Sequence, residues 1–235
     1  KVSGKGGGGA IALDDSKCVL NIYGGEISGN NGKNSGGAIF LNNKDKKGGT
    51  VNMHGGLIAN NTARNGGVIY SACGGTINLA GGTITGNTAQ NGGVVYATSG
   101  GVVNLVLSGG TISGNQATNG DGGVINMSGG TITLSGAKLT GNSASQYGGA
   151  IYLHEGVTAN MTGGALSGNK AAKEGGAVHV YGKNSTFNLS GGSITGNSSQ
   201  DGGAIYLNRE PSVLNMTGGT ISGNTATGNG GAVYI

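Results

Sequence analysis

Gly202-Gly203-Ala204-Ile205-Tyr206-Leu207, then Val213-Leu214-Asn215-Met216, then Gly218-Gly219-Thr220-Ile221-Ser222-Gly223-Asn224, is the stretch that decides the fold. Its three short apolar runs alternate in polarity and are rich in β-branched residues, the pattern of short strands between turns. A helix is excluded, because each glycine in a helix interior costs about 1 kcal/mol and the pairs return every ten or so residues. The same unit runs through the whole chain. A Gly-Gly-[Ala/Val]-[Ile/Val] step begins at Gly8, Gly36, Gly66, Gly92, Gly122, Gly148, Gly175, Gly202 and Gly230. The closing Asn recurs as Asn30, Asn61, Asn87, Asn115, Asn142, Asn169, Asn197 and Asn224. In the second copy Asn60 stands in the glycine slot, a swap that fits because Asn tolerates the left-handed conformation. Nine residues before each closing Asn lies Asn21, Asn52, Asn78, Asn160, Asn188 or Asn215, with Val106 and Thr133 in the two remaining copies.

A period of about 27–28 residues signals a solenoid. Three strands per turn, stacked in register, make a right-handed single-stranded parallel β-helix, since parallel crossovers are overwhelmingly right-handed. The expectation is an all-β chain of about eight coils with three strands per coil, a rod on the order of 40 Å long at about 4.8 Å per coil. Residues 1–235 form one domain, expected to be a segment of a longer repetitive chain with uncapped ends. Period-2 alternation points Ile39, Ile69, Val95, Ile125, Ile151, Val178 and Ile205 inward on the first strand. Pairs such as Leu20/Ile22, Val51/Met53, Ile77/Leu79, Phe187/Leu189 and Leu214/Met216 point inward on the second. Ile27, Ile58, Ile84, Ile112, Leu139, Leu166, Ile194 and Ile221 do so on the third. Aligned Asn side chains can form amide ladders along the stack.

Composition narrows the class. Of 235 residues 56 are glycine and one is proline, close to a low-complexity level. Yet only 9% are charged and 35% are hydrophobic, which opposes disorder. There is no Gly-X-Y period for collagen and no apolar run long enough for a transmembrane helix. The net charge is +4, but the 13 cations are spread along the rod without interleaved exposed aromatics, so no nucleic-acid groove is expected.

These repeats resemble those of right-handed β-helix surface proteins, of the pectate-lyase-like superfamily in fold. The Gly-Gly-Ala-Ile step is similar to the one that recurs in chlamydial polymorphic outer-membrane adhesins. The Gly-Gly-Thr-Ile-Ser-Gly-Asn-Thr-Ala step (residues 218–226) is similar to large cell-wall proteins of Gram-positive bacteria. The resemblance covers nearly the whole chain and implies the fold more strongly than an activity, because one fold hosts many functions.

Enzymes of that superfamily cluster carboxylates and cations on one strand face, and acid–base chemistry needs two such groups within reach of one bond. The nine acids here fall mostly in turns, with none expected at the same strand position in adjacent coils, so catalysis is not expected. Four other features invite a ligand. The first is an aromatic stripe, Phe40, Tyr70, Tyr96, Tyr152, His179, Tyr206 and Tyr234, interrupted by Ala12 and Asn126. Alternation places it outward, with rings about 4.8 Å apart; Tyr is amphipathic and enriched at interfaces, so the row suits sugars or a partner protein. The second is a Thr-x-[Ser/Thr] row, complete at Thr83/Thr85, Thr111/Ser113, Ser193/Thr195 and Thr220/Ser222 and broken elsewhere. A regular hydroxyl array resembles ice-binding β-solenoids. The third is the variable edge loop between first and second strands, holding Lys44, Asp45, Lys46, Lys47, His154, Glu155, Lys183, Arg209 and Glu210. The fourth is the pair of exposed coil ends, which invites end-to-end stacking.

Cys18 and Cys73 lie two coils apart, roughly 10 Å, beyond the reach of a disulfide. No cofactor or metal is implied, because the three histidines occupy unrelated slots. The leading expectation is a non-catalytic extracellular domain, secreted or attached to a bacterial cell surface. It would present ladders and loops to a glycan or a protein on a host or neighbouring cell, without membrane insertion. A self-assembling filament subunit, an ice-binding solenoid and a polysaccharide-acting enzyme are the alternatives.

Overall fold

The structure, a computed structural model, describes residues 9–42, 47–208 and 211–235. Every regular element among them is a β-strand, and every strand pairing among them is parallel and joins one coil to the next. Three stacked sheets result, wound as a β-solenoid of about eight turns with three sheet faces per coil. Parallel neighbours need a crossover between them; here the crossover is the rest of the coil.

The first sheet holds nine strands, from Ile11–Leu13 and Ile39–Leu41 to Ile205–Asn208 and Val233–Tyr234. Its register matches the repeat, with Ile39 opposite Ile69 and Ile151 opposite Val178. The second and third expected strands share one sheet. They are separate in early coils, as Thr50–Met53 and Leu57–Ala59, and merge into 11-residue strands at Val157–Ser167 and Ser185–Thr195. A register shift after Met161 marks where the merged strand bends. The remaining sheet was not anticipated. It is built by residues just after the closing Asn, as in Thr62–Asn65, Thr88–Asn91, Ser143–Ala144 and Thr225–Ala226. Its strands are two to four residues long, too short to show an alternation.

The inward positions are as expected in the inner coils. In the outermost described coils Leu20, Ile27, Leu214 and Ile221 are only partly buried and Met216 is exposed, because one of their faces has no described coil stacked on it. Ile39, Ile69, Ile125, Val51, Met53, Ile84, Leu139 and Phe187 are all essentially inaccessible to solvent. The third sheet contributes alanines to this core, Ala89, Ala117, Ala144 and Ala171, with Ser199 in the same column. Small residues there let the corner close tightly. The Ser199 hydroxyl donates to the carbonyls of Asp201 and Gly202 at 2.8 and 2.9 Å, so the one polar member is satisfied.

Turn chemistry explains the glycine pairs. Gly148 has φ +62°, in the region L-residues avoid, and a Cβ on Gly149 would stand 2.1 Å from the Gly176 carbonyl of the next coil. Both reasons recur at the steps from Gly36 to Gly202. Asn60 has φ 55°, as its place in a glycine slot requires.

The closing asparagines form the buried ladder that ties coil to coil. Asn142 is typical: its Nδ2 donates to Asn169 Oδ1 and to the Ile112 carbonyl, both at 3.0 Å, and its backbone N–H donates to Asn169 Oδ1. Asn115 makes the same two bonds onto Asn142 Oδ1. The chain of amide bonds is unbroken from Asn30 to Asn224. The outer asparagines form a second ladder in which donation runs the other way, Asn78 to Asn52 to Asn21 and Asn215 to Asn188 to Asn160. It stops where Val106 and Thr133 interrupt it.

Candidate functional site

The first sheet displays the aromatic column outward, as alternation requires, but the column is not uniformly exposed. Tyr70, Tyr96 and Tyr206 are partly buried and Tyr234 is exposed, whereas Phe40 and Tyr152 are nearly covered and His179 is fully buried. The expectation of one exposed row is corrected accordingly. Asn126, itself buried, divides the column into two stacks.

In the first stack Phe40, Tyr70 and Tyr96 lie 5.6 Å apart between ring centroids, the last two nearly parallel at 5°. In the second, Tyr152, His179, Tyr206 and Tyr234 follow at 5.2, 5.2 and 5.0 Å. Spacings close to the coil rise mean that stacked rings cover one another's faces. What the column turns outward is ring edges and phenol hydroxyls. Burial raises the Tyr70 and Tyr96 hydroxyls above the ordinary tyrosine value, helped by Tyr96 and Asp121 respectively, and burial does the same for Tyr206.

Two flanking columns set the surroundings. One is the residue before each Gly-Gly step: Ser35, Asn65, Asn91, Asp121, Tyr147, Glu174, Asp201 and Asn229. Backbone bridges align Ser35 with Asn65, and Tyr147 with Glu174 and then Asp201. Two acids, Glu174 and Asp201, therefore align in adjacent coils at a turn position, which an expectation confined to strand positions did not cover. The other flank is the outward residue two beyond each stripe position: Asn42, Ala72, Thr98, Ser128, His154, Tyr181 and Asn208.

Beside the second stack these flanks carry rings. Tyr147 packs 6.3 Å from Tyr152 and 5.0 Å from His179, and Tyr181 lies 5.9 Å from Tyr152 and 6.1 Å from His179. His154 closes the side, tilted 53° against Tyr152 and Tyr181. Together with Asn208 they line a cleft of about 500 Å³. The Lys173 ammonium lies 5.3 Å from the Tyr147 ring centre, a cation–π contact.

His179 Nε2 lies 3.2 Å from Glu174 Oε2, yet the pair is not aligned as a hydrogen bond. Both imidazole nitrogens and that carboxylate oxygen are buried with no hydrogen-bond partner. Burial holds the imidazole pKa below the ordinary histidine value, outweighing the pull of Glu174 toward the charged form. Asp121, one coil before Tyr147 in the same flank, is pushed up to about 6 by burial, against the Tyr147 N–H and nearby Lys173, which lower it.

Of the edge-loop residues expected to matter, Lys44, Asp45, Lys46, Arg209 and Glu210 lie outside the described residues. His154 lines the cleft, whereas Lys47 lines a separate depression with Thr76 and Asn104, and Glu155 and Lys183 follow the first-sheet strands on exposed turns. The hydroxyl row is in register, Thr83 opposite Thr111 and Thr85 opposite Ser113. Cys18 is exposed, and Cys73 is buried with its thiol 3.5 Å from the Leu41 carbonyl. Among the described residues no group of three or more His, Cys, Asp or Glu could hold a metal ion, and no helix is long and apolar enough to cross a membrane.

Sequence reasoning missed Tyr147, Glu174, Tyr181 and Asn208 as site residues. The available signal was positional: Tyr147 and Glu174 directly precede a Gly-Gly step, and Tyr181 follows the stripe residue by two.

Two stretches, residues 138–154 and 218–235, match the Chlamydia polymorphic membrane protein repeat. No curated protein and no solved structure matches the chain. The repeat match and the parallel β-solenoid together fit a β-helix repeat region of a bacterial outer-membrane, adhesin-like surface protein. The first matched stretch contains Tyr147, Tyr152 and His154.

Proposed function

We propose that this chain is a non-catalytic, extracellular adhesin-like rod that holds side-chain columns in fixed register for a glycan or a protein on another cell. The observation that carries this reading is the outward aromatic column of the first sheet, locked coil by coil to the unbroken buried Asn ladder. A surface whose rungs cannot slip offers repeated contacts at a fixed spacing, so several weak contacts act as one multivalent site. A binding role without catalysis is supported by two of the three acids of the flank: Asp121 accepts from the Tyr147 N–H and Asp201 from the Asn229 N–H, so both are engaged in turn structure.

The test is attachment of beads coated with the chain to host or neighbouring bacterial cells. Replacing Tyr96 and Tyr206 by Ala together should reduce attachment severely while the fold is kept. Undiminished attachment by that double variant would sink the proposal.

A further inference from the structure

We infer that the cleft walled by Tyr147, Tyr152, His154, Tyr181 and Asn208, with His179 at its floor, is a subsite for a saccharide, one of whose hydroxyls donates to His179 Nδ1. The inference rests on the adhesin-like reading and gives it a ligand class and a place.

Size and lining come first. At about 500 Å³ the cleft is within the range of small-molecule sites and accommodates one or two sugar rings. Its wall contains no aliphatic side chain: three phenols, two imidazoles and one carboxamide line it. Such a wall offers mixed donors and acceptors on rigid rings, which matches a polyhydroxylated ligand rather than an apolar one. The rings are stacked on one another, so they offer edges and hydroxyls, and recognition proceeds by hydrogen bonding more than by ring-face contact.

The second observation is independent of shape. Buried polar atoms are almost always paired, and leaving one unpaired costs about 1–3 kcal/mol. His179 breaks that rule with both nitrogens. It sits in the middle of a β-strand, Val178–Tyr181, in a column where neighbouring coils place Tyr152 and Tyr206. Glu174 stands 3.2 Å from Nε2, which favours the tautomer with the proton there and leaves Nδ1 as an unpaired acceptor. A ligand hydroxyl fills that vacancy. Glu174 is then a positioning residue, acting through the imidazole.

The contrast with the first stack sharpens the assignment. The same sheet position beside Tyr70 and Tyr96 is flanked by Asn65, Asn91, Ala72 and Thr98, and the two asparagines bond to each other at 3.1 Å. No buried polar atom is left over there among the described residues.

The experiment uses the full chain and three probes, cellotriose, chitotriose and N-acetyllactosamine. Saturation-transfer NMR gives affinity, and the side-chain nitrogen spectrum of His179 reports its tautomer. At least one probe should bind and shift the Nδ1 resonance. His179→Phe keeps a ring in the stack and removes both nitrogens; it should weaken binding by about tenfold or more while leaving thermal unfolding unchanged or raised. Glu174→Gln should alter the tautomer signal and weaken binding less, and Lys138→Ala, exposed on the other large sheet, should change neither. If no probe binds, or if His179→Phe binds as tightly as the parent, the inference falls. Bead attachment separates this from the broader reading: attachment that persists in His179→Phe but is lost in the Tyr96/Tyr206 double variant overturns the cleft and leaves the adhesin-like rod standing.

Discussion

The two aromatic stacks share a sheet, a register and a core, and differ in the buried His179 of the second and in what flanks them. Phe40, Tyr70 and Tyr96 run beside Ser35, Asn65 and Asn91 on one side and Asn42, Ala72 and Thr98 on the other. Tyr152, His179 and Tyr206 run beside Tyr147, Glu174 and Asp201, then His154, Tyr181 and Asn208, and become the floor of a cleft. The repeat thus supplies a column at a fixed height and spacing. Whether the column is a stack or a site depends on residues that the repeat leaves free.

The largest expected effect tests what the stacks share. Asn142 lies in the coil between them, and Asn142→Ala removes the four amide bonds of its side chain and takes a partner from both sides, including the buried Asn115 backbone N–H. A loss of about 3 kcal/mol in urea unfolding is expected. Asn188→Ala, in the outer ladder, should cost below about 1 kcal/mol. Comparable losses would mean that the buried ladder is not what holds the coils together.

Next come the stacks themselves. Tyr152→Ala empties a nearly enclosed site and should cost about 3 kcal/mol. Tyr70→Ala, at the equivalent position of the more open stack, should cost about 1 kcal/mol. Equal losses would break the distinction between stack and cleft.

Asp121 marks the boundary, and its effect has a definite sign. Its folded pKa of about 6 exceeds the ordinary 3.8, so the folded chain holds this proton more tightly than the unfolded chain does. This group's contribution to stability is therefore best below about pH 4 and declines as pH rises to about 6. Asp121→Asn puts the residue of Asn65 and Asn91 into the same flank and can extend their amide contact. It should stabilise by about 1–2 kcal/mol at pH 7, after allowance for solvent screening of a partly exposed carboxyl, and by nothing below pH 4. Thermal unfolding across that range measures it; a gain that persisted at pH 3 would assign the effect to packing instead of charge.

The smallest effect concerns His179. Because burial lowers its pKa, acidification through the ordinary histidine range protonates the unfolded chain first and so removes stability. An NMR titration should find its midpoint below that range, and lower still in Glu174→Gln, since Glu174 favours the charged form. A midpoint that rose in that variant would contradict the geometry of the pair.

The alternation of Ile39, Phe40 and Leu41 was readable because a strand has a period of two and nine copies repeat the phase. The buried ladder was readable because Asn recurs at one offset. Asn60, standing where glycine is the rule, has the backbone its position implied. The Ala column of the third sheet was not read as a strand, because two-residue strands such as Ser143–Ala144 carry no alternation. Nor could the cleft be read: Tyr147, Tyr181 and Asn208 follow no repeat, and each looks like a turn residue until the coils are superposed.

The sequence by itself determined the coil, its period, its inward aliphatics and its outward ring column, since these follow from local alternation and from glycine where the backbone must turn. Only the tertiary structure decided which rings are covered, which acids align and where a buried imidazole lacks a partner. Those properties arise between coils, at separations of 26 to 31 residues along the ladder, where side chains meet through stacking and not through neighbourhood in the chain.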